Sequence, residues 1–96
     1  MIAKLRGTVD QVGEGWVVID VNGVGYMVFC CSRTLHELSV RHSDISLLID
    51  THVREDHIHL YGFSTALERE WFRMLQSVQG VGAKLALSIL SVLDSS

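Results

Sequence analysis

The sequence predicts a mixed fold in which a five-stranded β-barrel precedes a helical segment. Residues 1–63 contain five stretches rich in β-branched and aromatic side chains, and turn-forming residues separate several of them. After residue 64 the apolar residues recur instead at intervals of three and four, which is the spacing of an amphipathic helix. We therefore predict a barrel domain over residues 1–63 and a helical segment over residues 64–96.

Composition limits the class of protein. Of the 96 residues, 48% are hydrophobic and 20% are charged, so the chain can bury a core. No apolar run approaches the roughly 20 residues that span a bilayer, and residues 1–7 lack the apolar stretch of a secretory signal. These features predict a cytoplasmic protein with no membrane contact. The net charge of −3 argues mildly against nucleic acid as a partner, so any such function must rest on local motifs.

The first three strands are predicted from side-chain type and turn signals. The stretch 2–12 ends at a Gly-Glu-Gly turn, and residues 16–21 form a β-branched, apolar strand. Asn22-Gly23 follows, and this pair favours a tight hairpin because both residues accept a positive φ. Residues 26–30 then return as the third strand.

A short helix and two further strands complete the predicted barrel. Thr34 and Glu37 have the spacing of a capping box, which predicts the start of the helix. Residues 46–53 and 57–63 read as strands, separated by Arg54-Glu55-Asp56, which we call the acidic turn. Three strands, a helix and two strands are the element order of an OB-like barrel.

The helical segment begins with a second capping box, formed by Thr65 and Glu68. Helical spacing predicts which side chains of the first helix face the core. The predicted inner face consists of Leu67, Trp71, Leu75 and Val78, and the predicted outer face of Glu68, Arg69 and Arg73.

A second helix, predicted over residues 83–93, is apolar on almost every side. Such a helix is normally buried on every side, yet one short helix and a small barrel offer too little surface to cover it. Residues 94–96 (Asp-Ser-Ser) add no apolar cover. We therefore expect the chain to be truncated or to associate with a partner.

The turn between the two helices carries the most informative motif, Gly80-Val81-Gly82-Ala83-Lys84. Glycine allows a sharp turn and a close approach of the backbone to a ligand. The first amides of a helix lack intrahelical partners and lie at its positive end, so the amides of Gly80, Gly82 and Lys84 could bind a phosphate. The Lys84 ammonium would add charge, and Val81 would turn inward. The alternative is a purely structural turn between helices.

This motif is a helix-hairpin-helix, and with four other segments the chain resembles the RuvA family. The segments are Met1-Ile2-x-x-Leu5-Arg6-Gly7, Gly23-Val24-Gly25-Tyr26, Val53-Arg54-Glu55-Asp56, Leu60-Tyr61-Gly62-Phe63 and Gly80-Val81-Gly82-x-Lys84-Leu85-Ala86.

The resemblance implies an OB-fold domain, a second domain with tandem helix-hairpin-helix motifs and a third domain that engages the RuvB motor, an ATPase. It also implies a non-catalytic, cytoplasmic homotetramer that binds four-way junction DNA during recombination, repair and the SOS response. Residues 64–96 would supply the first helix-hairpin-helix of a truncated second domain, and the RuvB-binding domain would be absent.

The same resemblance assigns a role to the acidic turn. Glu55 and Asp56 would form an acidic pin that repels phosphates at the junction centre, with Arg54 tempering that repulsion. Without the resemblance, these residues would be interpreted as an ordinary charged turn.

The histidines and cysteines of the sequence do not predict a metal site or a disulfide. His52, His57 and His59 flank the acidic turn, but their spacing fixes no third metal ligand, so we expect solvent-facing residues and no metal or other cofactor. The adjacent Cys30 and Cys31 are expected to be reduced strand residues.

Catalysis is not expected either. Some helix-hairpin-helix proteins are DNA glycosylases or lyases, yet Lys84 lies at the turn and the chain is too short to add a base pocket. The remaining alternative is an OB-fold and helix-hairpin-helix module with a protein-interaction or general DNA-binding role.

Overall fold

A computed structural model describes residues 1–93, which form five strands and three helices. In chain order the elements are β1 (Lys4–Val12), β2 (Trp16–Val21), β3 (Val24–Phe29), α1 (Ser32–Val40), β4 (Ile45–Val53), β5 (Ile58–Phe63), α2 (Ala66–Gln76) and α3 (Ala83–Val92). Residues 94–96, at the end of the predicted helical segment, lie outside the described residues. No helix of the described chain is long and apolar enough to cross a membrane.

The strands close into a barrel in the order β1-β2-β3-β5-β4. All neighbours are antiparallel except β3 and β5, and the β1–β4 pair, with Lys4 opposite Leu48, closes the sheet. The β2–β3 hairpin turns at Asn22 and Gly23, whose φ values are 52° and 90°, as the Asn-Gly signal predicted. The predicted OB-like barrel followed by a helical segment is confirmed.

Alternating side chains fill the barrel. Val17 and Ile19 on β2 point inward from every second position and are fully buried, as is Val28 on β3. Leu47 and Ile49 on β4 complete the same core. Each of these side chains contributes about 1.5–3 kcal/mol by burial, so this alternation is the main local signal that specifies the barrel.

A second core joins α2 and α3 to the outside of the barrel. It combines side chains from the β3–α1 connection, β5 and both helices, namely Cys31, Tyr61, Phe63, Phe72, Ala86, Leu87 and Leu90. Arg33 on α1 adds a polar link, because its guanidinium donates to the carbonyl oxygens of Leu93 (2.6 Å) and Leu90 (3.4 Å) at the end of α3. The helices therefore pack directly on the barrel, and the domain boundary at residue 63 stays a prediction.

The predicted inner face of α2 is wrong in most positions. Leu67, Trp71 and Val78 are exposed, and only Leu75 is partly buried against the second core. The buried residue is Phe72, which was not in the predicted face. Its ring lies 4.9 Å from that of Phe63 and 5.3 Å from that of Tyr61, so the aromatic surface of β5 selects the face of α2 that packs inward.

Glu68 was predicted on the outer face of α2, and this prediction is also wrong, since the residue is only 3% exposed. Its carboxylate accepts hydrogen bonds from the hydroxyls of Ser64 and Thr34 and lies 3.5 Å from the guanidinium of Arg33. Cys31 Sγ is 3.4 Å from the same carboxylate. These partners satisfy a buried charge that would otherwise be costly.

The two capping boxes have different outcomes. Thr65 caps α2 as predicted, with Oγ1 accepting a hydrogen bond from the Glu68 amide at 3.2 Å. The predicted cap at Thr34 is wrong, because α1 starts at Ser32 and Thr34 is fully buried inside the helix. Thr34 instead uses its hydroxyl to bind Glu68, a long-range partner that local spacing cannot indicate.

Cys30 and Cys31 are free thiols, but they are not strand residues as predicted. They connect β3 to α1, with Cys30 in the barrel core and Cys31 in the second core. Burial raises the pKa of the Cys30 thiol, which keeps it protonated.

Helix α3 is buried only along the residues that face the barrel and α2. Leu85 is exposed, and Val92 is 83% exposed. The barrel and α2 therefore cover only one side of α3. The sequence predicted this incomplete cover, because the helix is apolar on almost every side.

Candidate nucleic-acid interface

The turn between α2 and α3 uses its two glycines differently. Gly80 has a φ of 87°, a conformation that favours glycine, and the Val81 amide donates to the Val78 carbonyl at 3.1 Å. Gly82 is the N-cap of α3 with φ −86° and ψ 179°, an extended conformation that any residue adopts. A Cβ at Gly82 would meet no atom within 4 Å. The turn itself therefore requires a glycine at position 80 but not at position 82.

The start of α3 leaves several backbone donors free. The Gly82 carbonyl accepts from the Ala86 amide at 3.0 Å. Within residues 1–93, no acceptor pairs with the amides of Gly82, Ala83 or Lys84, and α3 has no side-chain cap. These donors lie at the positive end of the helix dipole, which suits an anion such as a phosphate.

The remaining residues of the motif have separate positions. Val81 and Ala83 are half-buried and pack against the second core, so Val81 turns inward as predicted. Lys84 is exposed and lines a cavity of 380 Å³ between α3 and the barrel. Glu14, in the β1–β2 turn, lines the same cavity. Sequence reasoning missed Glu14, because nothing in its local pattern connects it to Lys84.

The acidic turn connects β4 to β5, and its residues are exposed. The Arg54 amide donates to the His57 carbonyl at 2.8 Å, which closes the turn. Asp56 is 85% exposed at its side chain, and Glu55 is exposed as well. The Arg54 guanidinium donates to the Val53 carbonyl at 3.1 Å rather than to either carboxylate. Two negative charges therefore face the solvent at this end of the barrel.

Three histidines, His52, His57 and His59, lie beside the acidic turn. No group of three His, Cys, Asp or Glu residues in the described chain is arranged to hold a metal ion. His52 was expected to face the solvent, but its ring packs 4.7 Å from Tyr61 and 5.9 Å from Phe72. Burial, and then the charge of Arg54, lower the pKa of His52. His57 is exposed, and its Nδ1 lies 2.8 Å from Asp56 Oδ1.

Known proteins are similar to this chain over nearly all of its length. Residues 1–62 match the family described as RuvA N terminal domain. The Holliday junction branch migration complex subunit RuvA of Methylocella silvestris is 61% identical over 93 residues, which are 97% of this chain and 44% of that protein. Proteins with the same name from Sinorhizobium fredii and Rhizobium etli are each 56% identical, over 97% and 100% of this chain and 45% and 47% of their own lengths.

The chain thus spans less than half the length of these relatives, and the matches extend beyond the barrel through both helices of the hairpin. The family match covers 62 of the 96 residues and agrees with the closed barrel that these residues form. The chain belongs to the RuvA N-terminal domain family.

Proposed function

We propose that this chain forms the DNA-binding portion of a Holliday junction branch migration complex subunit. In this proposal it binds four-way junction DNA in recombination and repair, without catalysing a reaction. The relatives' name supports the choice of DNA substrate. The observation that carries the proposal is the set of unpaired amides at Gly82, Ala83 and Lys84, which share the start of α3 with the Lys84 side chain.

The proposed contact is with the DNA backbone. Amide donors and one ammonium recognise phosphate oxygens but carry no information about base sequence. Such a site reads the position of the backbone, which suits a protein that recognises the shape of a junction. It also fits a chain of net charge −3, because binding would depend on a few local donors rather than on an overall basic surface.

We further propose that the acidic turn acts as a pin at the junction centre. Glu55 and Asp56 would repel phosphates there, and Arg54 would limit that repulsion. In a homotetramer, four turns would surround the point where the strands exchange. Four copies of a weak phosphate site would also bind more tightly than one through avidity.

The name of the relatives also supports our proposal for the domains and partners of the intact protein. We assign residues 1–63 to an OB-fold domain and residues 64–96 to the first helix-hairpin-helix of a second domain, in a cytoplasmic protein. The RuvB ATPase would drive branch migration, and we place its contact outside residues 1–96. No cofactor is required for the binding role.

A protein-interaction module is the second candidate function. Its support is the exposed apolar row formed by Leu67, Trp71 and Met74 on α2, with exposed Val78 just after the end of the helix. These residues recur every three or four positions and so lie on one side of the helix. A module that only binds protein would not need the free amides at the start of α3.

A binding assay on the 96-residue chain distinguishes the two candidates. The chain should be titrated against a labelled four-way junction and a duplex of the same length, at two stated salt concentrations, with its mass measured by light scattering. The proposed function predicts preferential binding of the junction, weaker at higher salt, by an oligomer. Equal or absent binding to both DNAs would contradict it and favour the protein-interaction role.

A further inference from the structure

The acidic turn is followed by a histidine to which neither the phosphate contact nor the pin assigns a role. His57 Nδ1 lies 2.8 Å from Asp56 Oδ1, and the two side chains are 40% and 85% exposed. On its other side, the His57 ring is 4.1 Å from the ring of His59, with an angle of 31° between the planes. A carboxylate and a second imidazole therefore fix the orientation of this side chain.

The surroundings of His57 contain both acidic and basic groups. His59 is paired in register with His52 on β4, and the Tyr61 hydroxyl is 3.4 Å from His59 Nδ1. The titratable or charged groups around this end of the β4–β5 pair are Asp50 and His52 on β4, Arg54, Glu55 and Asp56 in the turn, His59 and Tyr61 on β5, and Arg73 on α2. Asp50 is engaged by Arg73, and His52 is packed against aromatic rings, so His57 is the histidine that directly meets a pin carboxylate.

We infer that His57 is a positioning residue of the acidic turn, which orients Asp56 and adjusts the charge of the turn with pH. The inference rests on the proposed function, because it concerns the regulation of the same pin. The acidic turn holds one guanidinium and two carboxylates, so the formal charge of the turn together with His57 is −1 while His57 is neutral and zero once it is protonated.

The chemistry of the pair explains this behaviour. Histidine side chains change charge between about pH 5 and pH 8. A protonated His57 gains a charge-assisted hydrogen bond to Asp56 and places a positive charge where the pin repels phosphate. Mild acid should therefore weaken the pin and tighten the binding of DNA.

The test compares junction binding at pH 5.5 and pH 7.5 for the 96-residue chain and three variants. His57→Gln keeps a polar side chain without the charge, and His57→Lys keeps a charge at both pH values. His36→Gln is the matched control, because His36 is exposed on α1 and away from the turn. We expect wild type to bind roughly threefold tighter per bound copy at pH 5.5, as for one exposed charge pair.

His57→Gln should lose this gain, His36→Gln should keep it, and His57→Lys should bind tightly at both pH values. Thermal melts at both pH values check the fold, and His57→Asn replaces any variant that does not melt cooperatively. If His57→Gln keeps the wild-type pH ratio, or His36→Gln loses as much, the role of His57 is overturned while the proposed function stands. If the chain does not prefer junction over duplex at either pH, the proposed function fails, and this inference fails with it.

Discussion

The guanidinium of Arg73 on α2 binds the carboxylate of Asp50 on β4, with Nη2 2.6 Å from Oδ1 and Nε 3.1 Å from Oδ2. Asp50 is only 11% exposed at its side chain, whereas the side chains of a second pair, Arg6 and Asp44, are 72% and 70% exposed. The Arg73–Asp50 pair therefore links α2 to the barrel through two hydrogen bonds to a carboxylate that is mostly shielded from water. Such a pair stabilises the fold more than a fully exposed one.

Asp50→Asn should lower the free energy of unfolding by about 1 kcal/mol. We expect no larger loss, because the Arg73 side chain is 57% exposed and water screens its charge. Asp44→Asn is the matched control and should change stability by less than about 0.5 kcal/mol, since both side chains of that pair lie in water. Asp44 has a φ of 53°, which asparagine also tolerates. Urea denaturation measures both, and equal losses would contradict the special role of Asp50.

Phe72→Ala and Trp71→Ala test which face of α2 packs on the barrel. Phe72 is fully buried between Phe63 and Tyr61, so its removal should cost about 3–5 kcal/mol. Trp71 is exposed, and its removal should cost less than about 1 kcal/mol in this chain. Thermal or urea unfolding gives both values. If Trp71→Ala lowered the free energy of unfolding more than Phe72→Ala, the inner face predicted from the sequence would be correct instead.

Gly82→Ala and Gly80→Ala should separate binding from folding. Gly82→Ala meets no atom of the protein and has an ordinary φ, so stability should be unchanged while junction affinity falls, because the methyl group blocks the close approach of a phosphate. Gly80→Ala places a side chain at φ 87° and should cost about 1–2 kcal/mol of stability. Unfolding curves and gel shifts on the same samples provide the comparison. Unchanged affinity in Gly82→Ala would remove these amides from the interface.

Lys84→Ala should weaken binding to junctions of any sequence. Each lost phosphate contact should reduce the slope of log affinity against log salt by about 0.9 per bound copy. Lys4→Ala, at the start of β1, controls for the loss of one positive charge. A salt series from gel shifts measures both slopes. If the two variants change the slope equally, Lys84 makes no specific contact.

Glu55→Gln combined with Asp56→Asn should tighten DNA binding and leave the fold intact, because both side chains are exposed. The gain should extend to duplex DNA, since the charge that repelled incorrect DNA is gone. Replacing Asp10 on β1 and Glu37 on α1, two exposed acids outside the proposed DNA site, by Asn and Gln controls for net charge alone. If junction affinity and the preference over duplex both stay at wild-type values, the pin assignment is wrong.

Local pattern determined most of the architecture. The alternation along β2, the Asn22-Gly23 turn and the Thr65 cap each depend on neighbours within a few residues, so the sequence alone predicted the strands, the hairpin and the start of α2. The exposed acidic turn and the position of Gly80-Val81-Gly82 between two helices were predictable for the same reason. The roles of these residues in DNA binding stay predictions.

Only the tertiary structure decided how the elements face one another. The aromatic surface of β5 selected Phe72 over Trp71, and Thr34 with Arg33 from α1 made Glu68 a buried residue. Thr34 and Glu68 are more than 30 positions apart, so no local pattern connects them. Helical spacing alone is also compatible with more than one buried face of α2. Packing resolves that ambiguity, because only one face of α2 can bury Phe72 against the barrel while the Glu68 carboxylate finds hydrogen-bond partners.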